Sequence, residues 1–183
     1  HSDVKIVNLK VTKNNCDGNG GGIYYKGNQP KLSNTELSYN TTSDCGGGFY
    51  TDNSRNPRLN NMTIVLNYSQ GRGGGIHLVN ITNDTKFDIG NSIVANNKTD
   101  NGDNENFEQD RNLEKKNTLE KNNINDIKFV SLTDFHLTKE SIEALNTGTK
   151  GYYYNGNYDT DKDLSGQPRV MGGAIDKGAY EFV

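Results

Sequence analysis

A triple glycine followed by an apolar residue and a ring-bearing residue recurs at a fixed interval, and that recurrence limits the folds open to this chain. The motif reads Gly20-Gly21-Gly22-Ile23-Tyr24, then Gly46-Gly47-Gly48-Phe49-Tyr50, then Gly73-Gly74-Gly75-Ile76-His77, at steps of 26 and 27 residues. A second pattern keeps the same phase. Its template is apolar-x-Asn-x-x-apolar-x-x-Asn. Ile6, Asn8, Val11 and Asn14 fill it first, then Leu32, Asn34, Leu37 and Asn40. Leu59, Asn61, Ile64 and Asn67 follow, and then Ile89, Asn91, Val94 and Asn97, the four starts lying 26, 27 and 30 residues apart. A constant period of this length marks a solenoid, in which each repeat is one unit stacked on the next. Glycine triples phased with an apolar pattern are not flexible linkers.

The units are rich in Asn, Gly, Thr and Tyr and lack the apolar i, i+3, i+4, i+7 spacing of a helix. They suit short strands joined by turns. Stacked coils repeat at roughly 4.8 Å, so the inward Ile, Leu, Val and Phe form continuous columns. Asparagine tolerates the left-handed backbone of a corner and can bond to the asparagine above and below it. Glycine serves where coils bend sharply or approach closely. The expectation is an all-β chain folded as a right-handed parallel β-helix, with coils near residues 1–26, 27–53, 54–80 and 81–99. Pro30 and Pro57 each precede a basic residue and an inward leucine, which repeats the equivalence outside the glycine motif. With 31% hydrophobic residues the chain is apolar-poor, but a solenoid core needs few apolar side chains per strand.

The 183 residues fit one domain. Beyond the coils, residues 100–128 are dominated by Asn, Asp, Glu and Lys. They read as an irregular polar excursion with one weak strand and a helix around residues 112–121. Residues 129–183 then close the domain. Within them the sequence suggests a short helix over residues 139–145 with Thr138 as its N-cap, a Tyr152-Tyr153-Tyr154 cluster covering the end of the core, and a final apolar strand over 179–183. An uncovered first coil exposes unpaired backbone groups, so further coils or another chain are expected ahead of Ser2. His1 fits a processed or partial chain. The net charge of −3 gives no basic footprint for nucleic acid, and no apolar run is long enough for a membrane-spanning helix. Cys16 and Cys45 lie in adjacent repeats but three positions out of register. A disulfide and two free thiols both remain open, whereas a zinc site is not supported.

These residues together resemble a known family. The Gly-Gly-Gly repeats with phased asparagines are similar to the pectate-lyase-like right-handed β-helix superfamily of bacterial surface proteins. Asn91-Ser92-Ile93-Val94-Ala95-Asn96-Asn97 and Asp134-Phe135-His136-Leu137 resemble its last coils and the start of its closing segment. The stretch from Asp163 through Arg169 and that from Gly172 through Phe182 resemble the C-terminal cap of choice-of-anchor Q proteins. Ser141-Ile142-Glu143-Ala144 stands where such caps carry a Ser-Pro-Ala-Ile-Asp-like run. The resemblance implies an extracellular or bacterial cell-surface protein and does not imply a reaction.

The side chains that could carry chemistry are sparse. A polysaccharide lyase or glycoside hydrolase, its groove lying partly in preceding coils, could draw on Arg55, Arg58, Arg72 and His77. They form no cluster that the period phases to one face, so no catalytic residue is assigned. Asp159, Asp161 and Asp163 alternate in the manner of hard oxygen ligands for calcium, although no cofactor is required. Asp176 and Glu181 could form an acid/base pair; their place in the cap motif favours a structural role, with Arg169 pairing a carboxylate. Tyr24, Tyr50 and His77 follow an inward residue in each repeat, so period two turns them outward as an aromatic strip. The function expected is therefore a non-catalytic surface or adhesive module, with a polysaccharide or a host surface protein contacted at Tyr24, Tyr50 and His77.

Overall fold

The computed structural model describes residues 4–79, 86–102, 106–109, 113–149 and 161–183. The period becomes a parallel β-solenoid. Its first coil holds β1 (Lys5–Thr12), β2 (Asn15–Cys16) and β3 (Ile23–Asn28). The second holds β4 (Lys31–Ser38), β5 (Thr41–Thr42) and β6 (Phe49–Arg55). The third holds β7 (Arg58–Val65), β8 (Tyr68–Ser69) and β9 (Ile76–Val79). The fourth holds β10 (Phe87–Gly90), β11 (Ile93–Ala95), β12 (Lys98–Thr99) and β13 (Phe107–Gln109). Corresponding strands pair in parallel and build three sheets: a long sheet that begins β1-β4-β7-β10, a short corner sheet β2-β5-β8-β12 and a third sheet β3-β6-β9-β13.

The repeat template is the core. Ile6, Leu32, Leu59 and Ile89 align across the long sheet, as do Val11, Leu37, Ile64 and Val94. Ile23, Phe49, Ile76 and Phe107 face them from the third sheet, in one continuous cluster. The middle glycine of each triple is fixed by crowding. A Cβ on Gly47 would lie 2.4 Å from the Gly74 carbonyl oxygen and 2.6 Å from that of Tyr68, so no larger residue fits unless the coils separate. At the inner corner, Asn14, Asn40, Asn67 and Asn97 form a ladder in which each side-chain amide donates to the next oxygen at 2.9, 3.0 and 2.9 Å.

The polar stretch after residue 99 departs from expectation. Instead of a helix around 112–121, β14 (Leu113–Lys116) stacks on β10 and β15 (Leu119–Lys121) stacks on β11, giving a partial fifth coil. A short 3-10 turn at Ile124–Asp126 follows. Leu113 and Leu119 pair with Phe87 and Ile93, so the stacking interval outlasts the asparagine template. Asn106 occupies the level of the third glycine of the triple, and its side chain reaches back to Asn97 at 2.9 Å as the last rung of the ladder.

The closing segment forms a cap on the flank of the solenoid, against the outer face of the long sheet. Residues of this segment bond to Asn34 in the second coil, Asn61 in the third and Asn91 in the fourth. Beneath it lies a second apolar cluster, with Val65, Ile93, Ala95 and Leu119 from the sheet and Phe135, Leu137, Ala144, Ala179 and Tyr180 from the cap. Two expected elements are absent from it. Residues 139–146 form turns rather than a helix, because the Thr138 and Ser141 hydroxyls bond the Lys128 carbonyl at 2.8 and 2.7 Å and hold the chain across the sheet. Residues 179–183 form no strand: the amides of Ala179, Glu181 and Phe182 donate to Thr63, Asp163 and Asp176 side chains at 2.9, 2.8 and 2.8 Å. The tyrosines at 152–154 lie outside the described residues.

Candidate functional site

The outward face of the long sheet changes character along the solenoid. In the third to fifth coils it presents Val65, Ile93, Ala95 and Leu119, which the cap covers. In the first two coils the same columns present Lys10 over Glu36 and Thr12 over Ser38. Between this polar patch and the cap residues around 133–135 lies a groove of about 210 Å³, lined by Lys10, Lys13, Glu36, Tyr39, Thr133 and Phe135 among others. Glu36 is 1% exposed. Its carboxylate pairs with the Lys10 ammonium at 3.0 Å and accepts from the Ser38 hydroxyl at 2.6 Å and from the Tyr180 hydroxyl. Burial, reinforced by Glu36, pushes the Tyr180 hydroxyl far above its ordinary value, so it stays a donor. Tyr39 lies 6.2 Å from Phe135, ring to ring, and donates to the Leu132 carbonyl at 2.5 Å.

Beside the groove, His136 is held from two sides. Its Nδ1 lies 2.5 Å from Asp134 Oδ1, and its Nε2 lies 2.6 Å from Ser165 Oγ. The imidazole packs 4.3 Å from the Tyr180 ring. The hydrogen bond from His136 holds the Asp134 carboxyl below its ordinary value.

The sequence-derived residues distribute as follows. Tyr24, Tyr50 and His77 do align in one column, with Glu108 as the next rung. Tyr24 stacks on Tyr50 at 5.2 Å and 11°, while His77 meets Tyr50 edge-on at 5.5 Å and 85°. The rings pack mainly on one another: Tyr24 is 48% exposed, but Tyr50 and His77 are each 8%. Arg72 pairs with Glu108 at 3.6 Å and Arg58 with Asp88 at 3.8 Å, on different sheets. Arg55 is exposed on the third sheet.

Asp163 is buried, and its two oxygens accept the amides of Gln167 at 2.7 Å and Glu181 at 2.8 Å. Asp161 is exposed, and Asp159 lies outside the described residues. Among the described residues, no group of three or more His, Cys, Asp or Glu side chains is placed to hold a metal. Asp176 and Glu181 belong to the cap's internal network. Asp176 accepts the amides of Asn146 at 2.6 Å and Phe182 at 2.8 Å, and Arg169 pairs with Glu181 at 2.8 Å in a buried ion pair. Burial raises the Glu181 carboxyl to about 7 against the pull of Arg169. Cys16 and Cys45 are free thiols; Cys16 stacks on Thr42 rather than on Cys45.

Sequence reasoning missed Lys10, Glu36, Tyr39, Tyr180 and Ser165 as site residues. Only Asp134 and His136 carried a local signal, being two residues apart in a segment already singled out. No family model, curated protein or solved structure matches this chain.

Proposed function

We propose that this β-solenoid is a binding module of a secreted or cell-surface protein, and that its groove takes one sugar unit of a glycan. The supporting observation is the Lys10–Glu36 pair lining one groove with Tyr39 and Phe135. A sugar ring presents hydroxyls along its edge and C–H groups on its face. The half-exposed Lys10 ammonium, fixed from behind by Glu36, suits the edge; aromatic rings suit the face. The groove, at about 210 Å³, is smaller than the roughly 300–1,000 Å³ of sites that enclose drug-sized ligands, which favours a single ring with the rest of the glycan in solvent. The resemblance of the repeats and cap to bacterial surface proteins supports the extracellular setting.

Glycan-array screening followed by calorimetry on the parent and on Lys10→Met tests the reading. We expect binding that Lys10→Met weakens at least about tenfold, equivalent to about 1.4 kcal/mol, in a variant whose melting curve shows that it remains folded at the assay temperature. Binding that survives in Lys10→Met, or no glycan bound at all, overturns it.

A further inference from the structure

We propose that Ser165, His136 and Asp134 form a nucleophilic relay that hydrolyses short-chain carboxylic esters, an activity that goes beyond the binding reading and does not depend on it. The three side chains come from two separate stretches of the cap, yet both links of the relay are short. Asp134 Oδ1 lies 2.5 Å from His136 Nδ1 and also accepts the His136 backbone amide at 3.1 Å. With Nδ1 donating to that carboxylate, Nε2 carries the lone pair and faces Ser165 Oγ at 2.6 Å. This is the nucleophile–base–orienter order that activates a serine, and it is recognised by geometry and not by chain position.

The surroundings hold the geometry in place. Tyr180, 5% exposed and tied to Glu36, backs the imidazole at 4.3 Å. Ser165 sits at the tip of a turn whose base is fixed by Asp163. The Asp163 carbonyl accepts the Gly166 amide at 3.1 Å, and the side chain accepts the Gln167 amide at 2.7 Å. Gly166 has φ +86°, a conformation that turns the chain sharply after the serine. Leu164 donates its amide to Ala179 at 2.9 Å. Among the described residues, the Ser165 amide has no such partner, and it lies beside the hydroxyl where an oxyanion forms.

The reaction balances with water alone. Ser165 Oγ attacks the acyl carbon while its proton passes to His136 Nε2. The carbonyl electrons return, the C–O bond to the alcohol breaks, and the alcohol departs with the proton from Nε2. Water then attacks the acyl-serine, giving up a proton to Nε2. The acid leaves and Ser165 recovers its proton. Side chains of His136 and Asp134 that are 39% and 46% exposed leave an open site, which suits a small acyl group such as acetyl and gives no enclosure for a long one.

The first test is labelling of the intact parent with a fluorophosphonate probe, located by peptide mass spectrometry. The second is p-nitrophenyl acetate hydrolysis by the parent, Ser165→Ala and His136→Ala. We expect the label on Ser165 and a loss of at least about a hundredfold in turnover in either variant, the usual scale for removing a general base. Ser165→Ala removes only an exposed hydroxyl, and its melting curve reports whether the fold persists. No label on Ser165, or parent turnover no greater than that of a folded Ser165→Ala, overturns the proposal. That outcome assigns the His136–Ser165 contact to tying the two stretches of the cap together.

Discussion

Two asparagine columns run the length of the solenoid at the same spacing, and they do different work. The inner column, Asn14 to Asn40 to Asn67 to Asn97, satisfies itself. Besides the rung above, the amides of Asn40, Asn67 and Asn97 each donate to a carbonyl of the preceding coil: Val11 at 3.0 Å, Leu37 at 2.9 Å and Ile64 at 3.0 Å. The outer column is chosen by its backbone. Asn8, Asn34, Asn61, Asn91 and Asn117 all have positive φ, at 57°, 48°, 52°, 48° and 48°, a region asparagine enters more readily than other side-chain-bearing residues. Much of its side-chain bonding is to the cap: Asn34 to Lys162 and Arg169, Asn61 to Asp176, and Asn91 and Asn117 to Thr149. One sequence signal therefore marks two physical needs, an amide inside and a backbone conformation outside.

Substitutions separate the two needs, the largest effect first. Asn67→Ala removes a fully engaged inner rung, taking the acceptor from the backbone and side-chain amides of Asn40 and the side-chain donor from the Leu37 carbonyl. We expect a loss of about 3–5 kcal/mol in urea unfolding, since each buried unsatisfied group costs about 1–3 kcal/mol. A loss near that of an exposed residue would break the comparison. Arg169→Met cuts the cap's strongest link to the outer column and leaves Glu181 without its cation. We expect about 2–4 kcal/mol, toward the low end for a broken buried pair, because Glu181 can take up a proton. Faster proteolysis within residues 161–183 should accompany the loss.

That same carboxyl gives the outer attachment a pH dependence that the inner ladder, with no titratable group, lacks. Glu181 in the fold has a value raised to about 7, so the folded state holds a proton that the unfolded chain releases near pH 4.3 (about). Its contribution to stability is full below that unfolded value and is lost as pH rises through about 7. The melting temperature should fall between about pH 5 and about pH 8, and Glu181→Gln should flatten that part of the profile. The smallest effect belongs to the outer backbone. Asn61→Gly and Asn61→Ala both lose the side-chain bonds to Asn60 and Asp176, and Asn61→Ala should be the less stable of the two by about 1–2 kcal/mol, the cost of a left-handed residue with a Cβ. If glycine is the worse of the two, the side chain and not φ selects asparagine there.

The coils were legible because each repeat carries its own short-range code: a glycine no side chain can replace, an inward apolar pair and an asparagine corner. The fifth coil was not. Leu113 and Leu119 keep the 26-residue interval from Phe87 and Ile93, but Asn106 stands where the triple glycine ends in other coils. The template around them is filled with lysine and glutamate. The aromatic strip was read correctly as a column; its burial was not legible, because exposure depends on how the rings and the preceding turns pack. The flank position of the cap and the groove beside it rest on contacts such as Asn34–Arg169 and Glu36–Tyr180, 135 and 144 residues apart. No local pattern encodes pairs at that separation. Cap motifs announce that a chain closes, not which surface it closes over.

The flank position also sets an order of events during synthesis. The coils leave the ribosome first, and their strands can stack as they appear. Val65, Ile93, Ala95 and Leu119 then stand as an open greasy stripe until Phe135, Leu137, Ala144 and Tyr180 arrive to lie on it. A ribosome that stalls before the cap, or a protease that cuts between coils and cap, leaves stacked coils with one sticky side, the kind of surface that recruits its own copies. Residues made after the coils are the ones that cover that side.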